Sequence, residues 1–124
     1  MAAEAKPHVL IVDDSPTGRQ AATRLLQKRG YAVVTAEDGE QALEKIAAAP
    51  PRVILLDIVL PKMNGYQVLR QLKAAPDTTA IKVILVSSKS QESDRFWGLK
   101  QGADDYIAKP YRDEALLAAV KRQL

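Results

Sequence analysis

The chain reads as a doubly wound α/β domain, with five parallel strands covered by helices on both faces. Three observations predict this. Short apolar runs alternate five times with segments of helical spacing. The connections between them are short, as βα units require. The first and third runs, Val9 to Val12 and Val53 to Leu56, are apolar throughout, the pattern of parallel strands buried on both sides.

Taken in order, Val9 to Val12 is the first strand. Ser15-Pro16 then starts a helix, Ser as N-cap and Pro at the first position. Ala21, Ala22, Leu25 and Leu26 repeat at helical spacing, and Gly30 is a stop. Val33 to Ala36 is the second strand. Asp38-Gly39 opens a helix bearing Ala42, Leu43 and Ile46, which Pro50-Pro51 ends. Val53 to Leu56 is the third strand. Pro61 to Gly65 is a loop, with Asn64 as cap of the helix holding Val68, Leu69 and Leu72. Lys82 to Val86 is the fourth strand, followed by a helix from about Glu92 to Gln101 that stops at Gly102. Asp105 to Ala108 is a short fifth strand. The last helix spans about Arg112 to Gln123. One domain over residues 1–124 is expected, behind a tail of about seven residues and with no output domain after the last helix.

Composition narrows the function. The 124 residues are 47% hydrophobic and 27% charged, enough apolar content for a core. With no Cys, disulfides and thiolate metal sites are out; a single His, His8, removes His-cluster sites and disfavours a His-based triad. No run approaches the length of a membrane span and no signal peptide is legible, so a cytoplasmic protein without membrane contact is expected. The net charge is +3, from 18 basic and 15 acidic residues that are scattered, so no direct nucleic-acid binding is expected.

The chemistry gathers at strand ends. His8 to Asp14 closes an apolar run with two adjacent acids, Asp13 and Asp14; Arg52 to Asp57 closes another with a third. In open parallel sheets, ligands sit beyond the carboxyl ends of the strands. Three carboxylates there repel one another unless a cation joins them, and hard oxygen donors suit Mg²⁺ or a similar ion. Ser87 ends the fourth strand and Lys109 the fifth, so a hydroxyl and an ammonium share the rim. Singly, each has a plainer reading: Asp13-Asp14 as turn and cap, Ser87-Ser88 as a cap, Lys109-Pro110 as a turn, Tyr106 as a half-buried strand residue. Together they describe an anion-handling site with a metal.

Those residues resemble the receiver domains of two-component response regulators, the family of the chemotaxis regulator CheY. The matching pieces cover nearly the whole chain: Asp13-Asp14-Ser15, Leu56-Asp57 through Asn64-Gly65, Ser87-Ser88, Gly102-Ala103-Asp104-Asp105-Tyr106 and Lys109-Pro110. The segment from Lys89 to Ala103 looks more narrowly like single-domain regulators of type IV pilus twitching motility, the PilH kind.

The resemblance implies a flavodoxin-like (CheY-like) fold with strand order 2-1-3-4-5. It implies that Asp57 accepts a phosphoryl group from a histidine kinase, phosphotransfer protein or small donor. Mg²⁺ would be held by Asp14, Asp57 and the backbone carbonyl of Val59, with Asp13 acting through water. Lys109 and Ser87 would contact the phosphoryl oxygens, and Ser87 and Tyr106 would form the switch. The Lys109-Pro110 bond would be cis. No catalytic activity beyond the chain's own phosphorylation and dephosphorylation is implied. A downstream effector, in the twitching-motility case a part of the pilus machinery, would dock on a face presenting Arg95, Leu99, Tyr106 and Lys121. The chain would be a monomer or a phosphorylation-dependent dimer.

Two departures bear on kinetics. Many relatives carry Thr where this chain has Ser87, which keeps the hydroxyl but loses a rotamer-restricting methyl. Val59 and Lys89 flank the expected path of a hydrolytic water. Three rival readings stay open: a receiver module of a longer hybrid protein, an aspartyl-phosphate phosphatase of the haloacid dehalogenase type, and a flavodoxin-like flavin carrier. The phosphatase needs a second acid two residues after the nucleophile, where Val59 stands. The flavin carrier needs a phosphate-binding loop where Asp13 and Asp14 stand.

Overall fold

The computed structural model describes residues 8–89 and 91–124. The tail expected before His8 lies outside the described residues. Within them the elements run β1 (His8–Val12), α1 (Pro16–Lys28), β2 (Ala32–Ala36), α2 (Gly39–Ala48), β3 (Val53–Asp57), α3 (Gly65–Ala74), β4 (Lys82–Ser87), α4 (Glu92–Lys100), β5 (Asp105–Ala108) and α5 (Asp113–Gln123). All strand pairs are parallel and the order is β2-β1-β3-β4-β5, as the family resemblance implied.

Side-chain alternation along the strands divides the core in two. Leu10, Val12, Ile54, Leu56, Val83, Leu85 and Tyr106 pack on one face, beneath α2 and α3. Val9, Ile11, Val53, Leu55, Ile84, Val86 and Ile107 pack on the other, beneath α1 and α5. Each fully buried aliphatic side chain contributes about 1.5–3 kcal/mol relative to exposure. Both faces are needed because the three central strands have no solvent side, which is why their sequences do not alternate.

Local chemistry sets the helix limits. Ser15 caps α1 with Pro16 in its first turn. Asp38 Oδ1 caps α2 by accepting from the Gln41 amide at 2.8 Å. Asn64 and Gln67 exchange two hydrogen bonds at the start of α3, a reciprocal capping box. Gly30 and Gly102 follow α1 and α4 at φ +86° and +110°, where a side chain would be strained. Arg112, read from sequence as the first helical residue of α5, is its N-cap with extended backbone.

The register brings the carboxyl ends of the central strands level. Val12 pairs with Leu56, Leu56 with Leu85, and Ser87 with Ala108. Asp13, Asp57, Ser87 and Lys109 therefore arrive at one edge of the sheet. Among the described residues, no helix is long and apolar enough to cross a membrane.

Candidate functional site

Asp57 is the last residue of β3 and is buried, as is Asp13 just beyond β1. Asp14, the next residue, is exposed. One carboxylate oxygen from each of the three lies within 4.8 Å of the others, close enough for a single ion to touch all three. The set is all hard oxygen, which fits a magnesium-type cation and excludes a soft thiolate-seeking one.

Lys109 reaches into this acidic group from the end of β5. Its Nζ donates to Asp57 Oδ2 at 2.9 Å and to Asp13 Oδ2 at 3.3 Å. The Lys109-Pro110 peptide is cis. On the other side, the Val59 amide donates to Asp57 Oδ1 at 3.3 Å. Burial pushes the Asp57 carboxyl up from its ordinary value; Lys109 and the Val59 amide oppose this, and the Asp13 charge adds to it. Burial alone would lower Lys109, but its hydrogen bond and attraction to Asp57, with Asp13 behind, hold it above the ordinary lysine value. The two directions describe one imbalance: two buried carboxylates face a single ammonium. Lysine gains from both acids, while Asp57 has one cation, one neighbouring anion and little water.

The backbone around Asp57 is built for close approach. The Gly65 amide donates to the Ile58 carbonyl at 2.8 Å. Any Cβ at Gly65 would meet the Asp57 carbonyl oxygen, so glycine is what lets the start of α3 seat against the end of β3. The intervening loop leaves Val59 62% exposed at the rim of the site.

The Ser87 hydroxyl, fully buried at the end of β4, accepts from the Lys89 amide at 3.1 Å. Tyr106, in β5, donates its hydroxyl to the Lys89 carbonyl at 2.8 Å. Burial raises the Tyr106 phenol, with the Ser87 hydroxyl partly offsetting it. The expectation that Tyr106 presents itself on a docking face is corrected here. Tyr106 is 4% exposed, because its ring lies under α4 against Gly98 and joins the core around Leu85. Leu99 and Lys121 are exposed. Arg95 is not free: it donates to the Tyr106 carbonyl at 2.7 Å and pairs with Asp105 at 3.4 Å. Asp105 pairs a second time, with Arg122 of α5 at 3.1 Å. That double clamp, from α4 and α5 onto one buried acid, went unread in the sequence; an acid opening an otherwise apolar strand was its signal.

The response regulator receiver domain family model matches residues 9–121. The chain belongs to that family. It is 45% identical over 116 residues to the protein PilH of Pseudomonas aeruginosa, an alignment covering 94% of this chain and 96% of PilH. To the protein PilG of the same organism it is 42% identical over 113 residues, covering 91% and 84%. Among solved structures it is similar to the chemotaxis response regulator CheY4 of Vibrio cholerae, with a TM-score of 0.89, 31% identity and coverage of 97% and 100%. As a receiver, the chain is a phosphorelay signalling module.

Proposed function

We propose that the whole chain is one receiver that accepts a phosphoryl group on Asp57 and, in response, changes which protein it binds. The observation that supports this best is the placement of Asp57 between a lysine at 2.9 Å and two further acids within reach of one ion. Asp14, Asp57 and the Val59 carbonyl would hold Mg²⁺, with Asp13 through water. When bound, the cation supplies the charge that lets a carboxylate approach an anionic donor.

This chain's residues then divide the work. The Asp57 oxygen forms the new bond to phosphorus as the donor's leaving atom, a ring nitrogen of phosphohistidine or the bridging oxygen of an acyl phosphate, departs with the electron pair of the broken bond. Lys109 holds a phosphoryl oxygen, and Ser87 donates a hydrogen bond to another. Reorientation of Ser87 breaks its bond with the Lys89 amide and loosens the loop carbonyl that holds Tyr106. The reaction is the chain's own phosphorylation and dephosphorylation, with no other substrate turned over.

A histidine kinase or phosphotransfer protein would supply the phosphoryl group. The downstream effector would dock on the surface of α4, β5 and α5 that includes Leu99 and Arg122; Lys121, expected on that face, instead lines a groove with Arg29 and Tyr31 beside the end of α1. By likeness to PilH, pilus motility is the process it serves. A cytoplasmic location, and a monomer or a phosphorylation-dependent dimer, complete the reading.

The test is acetyl phosphate with Mg²⁺ followed by intact-mass analysis. One phosphoryl mass is expected on the native chain and none on Asp57→Asn. A full adduct on the variant overturns the assignment.

A further inference from the structure

We propose that Gly18, in the first turn of α1, is a positioning residue for the acidic site: its missing side chain is what keeps the Asp13 carboxylate aimed at Lys109 and the metal position. The inference rests on the metal-assisted reading above and deepens it.

Gly18 is the third residue of α1 after the N-cap Ser15. In a Ser-x-x-Glu capping box this position carries an acceptor that reaches back to the N-cap amide. Here the position has no side chain, and the Ser15 amide donates instead to Asp13 Oδ1 at 2.9 Å. Half the box survives, since the Gly18 amide donates to Ser15 Oγ at 3.2 Å. Asp13 has taken over the other half. One of its oxygens caps the helix, and the other accepts from Lys109 at 3.3 Å.

Space enforces this arrangement. A Cβ on Gly18 would stand 2.8 Å from Asp13 Oδ2, and 3.6 Å from both Asp13 Cγ and Ser15 Oγ. Asp13 is 7% exposed and held at both oxygens, so it can yield only by giving up the Ser15 amide or Lys109. Glycine inside a helix costs about 0.5–1 kcal/mol relative to alanine. Position 18 thus carries a residue poor for the helix and fitted to the site.

The experiment compares the native chain, Gly18→Ala, Asp13→Ala and the double variant. Mg²⁺ alone is titrated by calorimetry, the Ser15 amide shift is read by NMR, and metal-free thermal melting is recorded. Gly18→Ala should melt at the same or a higher temperature, yet bind Mg²⁺ about tenfold more weakly, in the range seen when a group orienting a metal ligand is lost. Its Ser15 amide proton should move upfield as the bond to Asp13 lengthens. Asp13→Ala should absorb the effect, so the double variant binds Mg²⁺ as Asp13→Ala does. Unchanged affinity in Gly18→Ala, or a further loss in the double variant, overturns the proposal. If the native chain binds no Mg²⁺, the metal reading itself fails. The Ser15 shift still judges the positioning, and an unmoved shift in Gly18→Ala overturns it.

Discussion

The Tyr106 hydroxyl donates to the backbone carbonyl of Lys89 across 2.8 Å, tying the middle of β5 to the loop that leaves β4. The same loop gives its Lys89 amide to Ser87 Oγ. One short segment therefore senses both the hydroxyl that would touch a phosphoryl oxygen and the ring beneath α4. A partly buried hydrogen bond of this kind is worth about 1 kcal/mol. A change at Ser87 that weakens it shifts the ring only by as much as the two states differ in free energy.

Tyr106→Phe removes that tie and leaves the ring. Hydrogen exchange at the backbone amides just after β4 should become faster in the unphosphorylated variant, while labelling of Asp57 by acetyl phosphate continues. Unchanged exchange in that segment would show that the hydroxyl does not restrain it.

Lys109 is the counter-ion for two buried acids. A hydrogen bond to a charged group is worth about 1.5–3 kcal/mol, so Lys109→Ala should slow phosphorylation of Asp57 by about tenfold or more. Rapid-mixing kinetics with acetyl phosphate measure this. An undiminished rate contradicts a role for Lys109 in holding the phosphoryl group.

The imbalance around Asp57 predicts a trade between stability and function. Asp57 holds its proton more tightly in the folded chain than in the unfolded one, chiefly because it is buried. A carboxyl with a raised folded value stabilises the fold at acid pH, and that contribution is lost as pH climbs through the raised value. At neutral pH and without metal, Asp57→Asn should therefore melt above the native chain, and the gap should shrink toward acid pH. Mg²⁺ should raise the native melting temperature and leave the variant's nearly unchanged. A lower melting temperature for metal-free Asp57→Asn refutes this account.

The elements were legible because each has its own local signal. The runs ending at Val12, Leu56 and Val86 are apolar throughout, and Ser15, Asp38 and Asn64 mark helix starts by side chains that cap them. The rim residues were legible because position at a strand's carboxyl end implies position in space once the strands are parallel. What escaped depends on packing between distant elements. Asp105 is clamped by Arg95 and Arg122 from two helices, and no spacing rule links positions 95, 105 and 122. Tyr106 is buried because Gly98 leaves room for its ring, a complementarity visible only when α4 is laid on β5. Strand order came with the family resemblance and not from the alternation of elements, which is compatible with several orders.

Val59 stands exposed at the rim, where an apolar side chain offers an attacking water no hydrogen bond. Val59→Asn should shorten the lifetime of phosphorylated Asp57 while phosphorylation itself proceeds. Phosphate release from purified phosphoprotein is the measure, and an equal or longer lifetime counts against the idea.

The clamp on Asp105 decides how the docking face must be tested. Arg95→Glu would set a carboxylate against Asp105 and take a donor from the Tyr106 carbonyl, so it should lower stability whatever the partner does. Loss of binding in that variant would not distinguish a broken contact from a displaced helix. Leu99 offers a cleaner probe, being 37% exposed with no polar partner to lose. Leu99→Asp should keep the native unfolding free energy to within about 0.5 kcal/mol, as surface substitutions do. It should also keep phosphorylation of Asp57, yet weaken phosphorylation-dependent binding of effector or a second copy by about tenfold, the loss of one well-packed contact. Lys121→Glu, beside Arg29 and Tyr31 on the α1 side of α5, should leave that binding unchanged. Amide exchange with and without beryllofluoride gives the partner-free counterpart, with changes expected at the start of α4 and along β5. Changes confined to α1 and α2, together with full binding by Leu99→Asp, would move the output surface elsewhere.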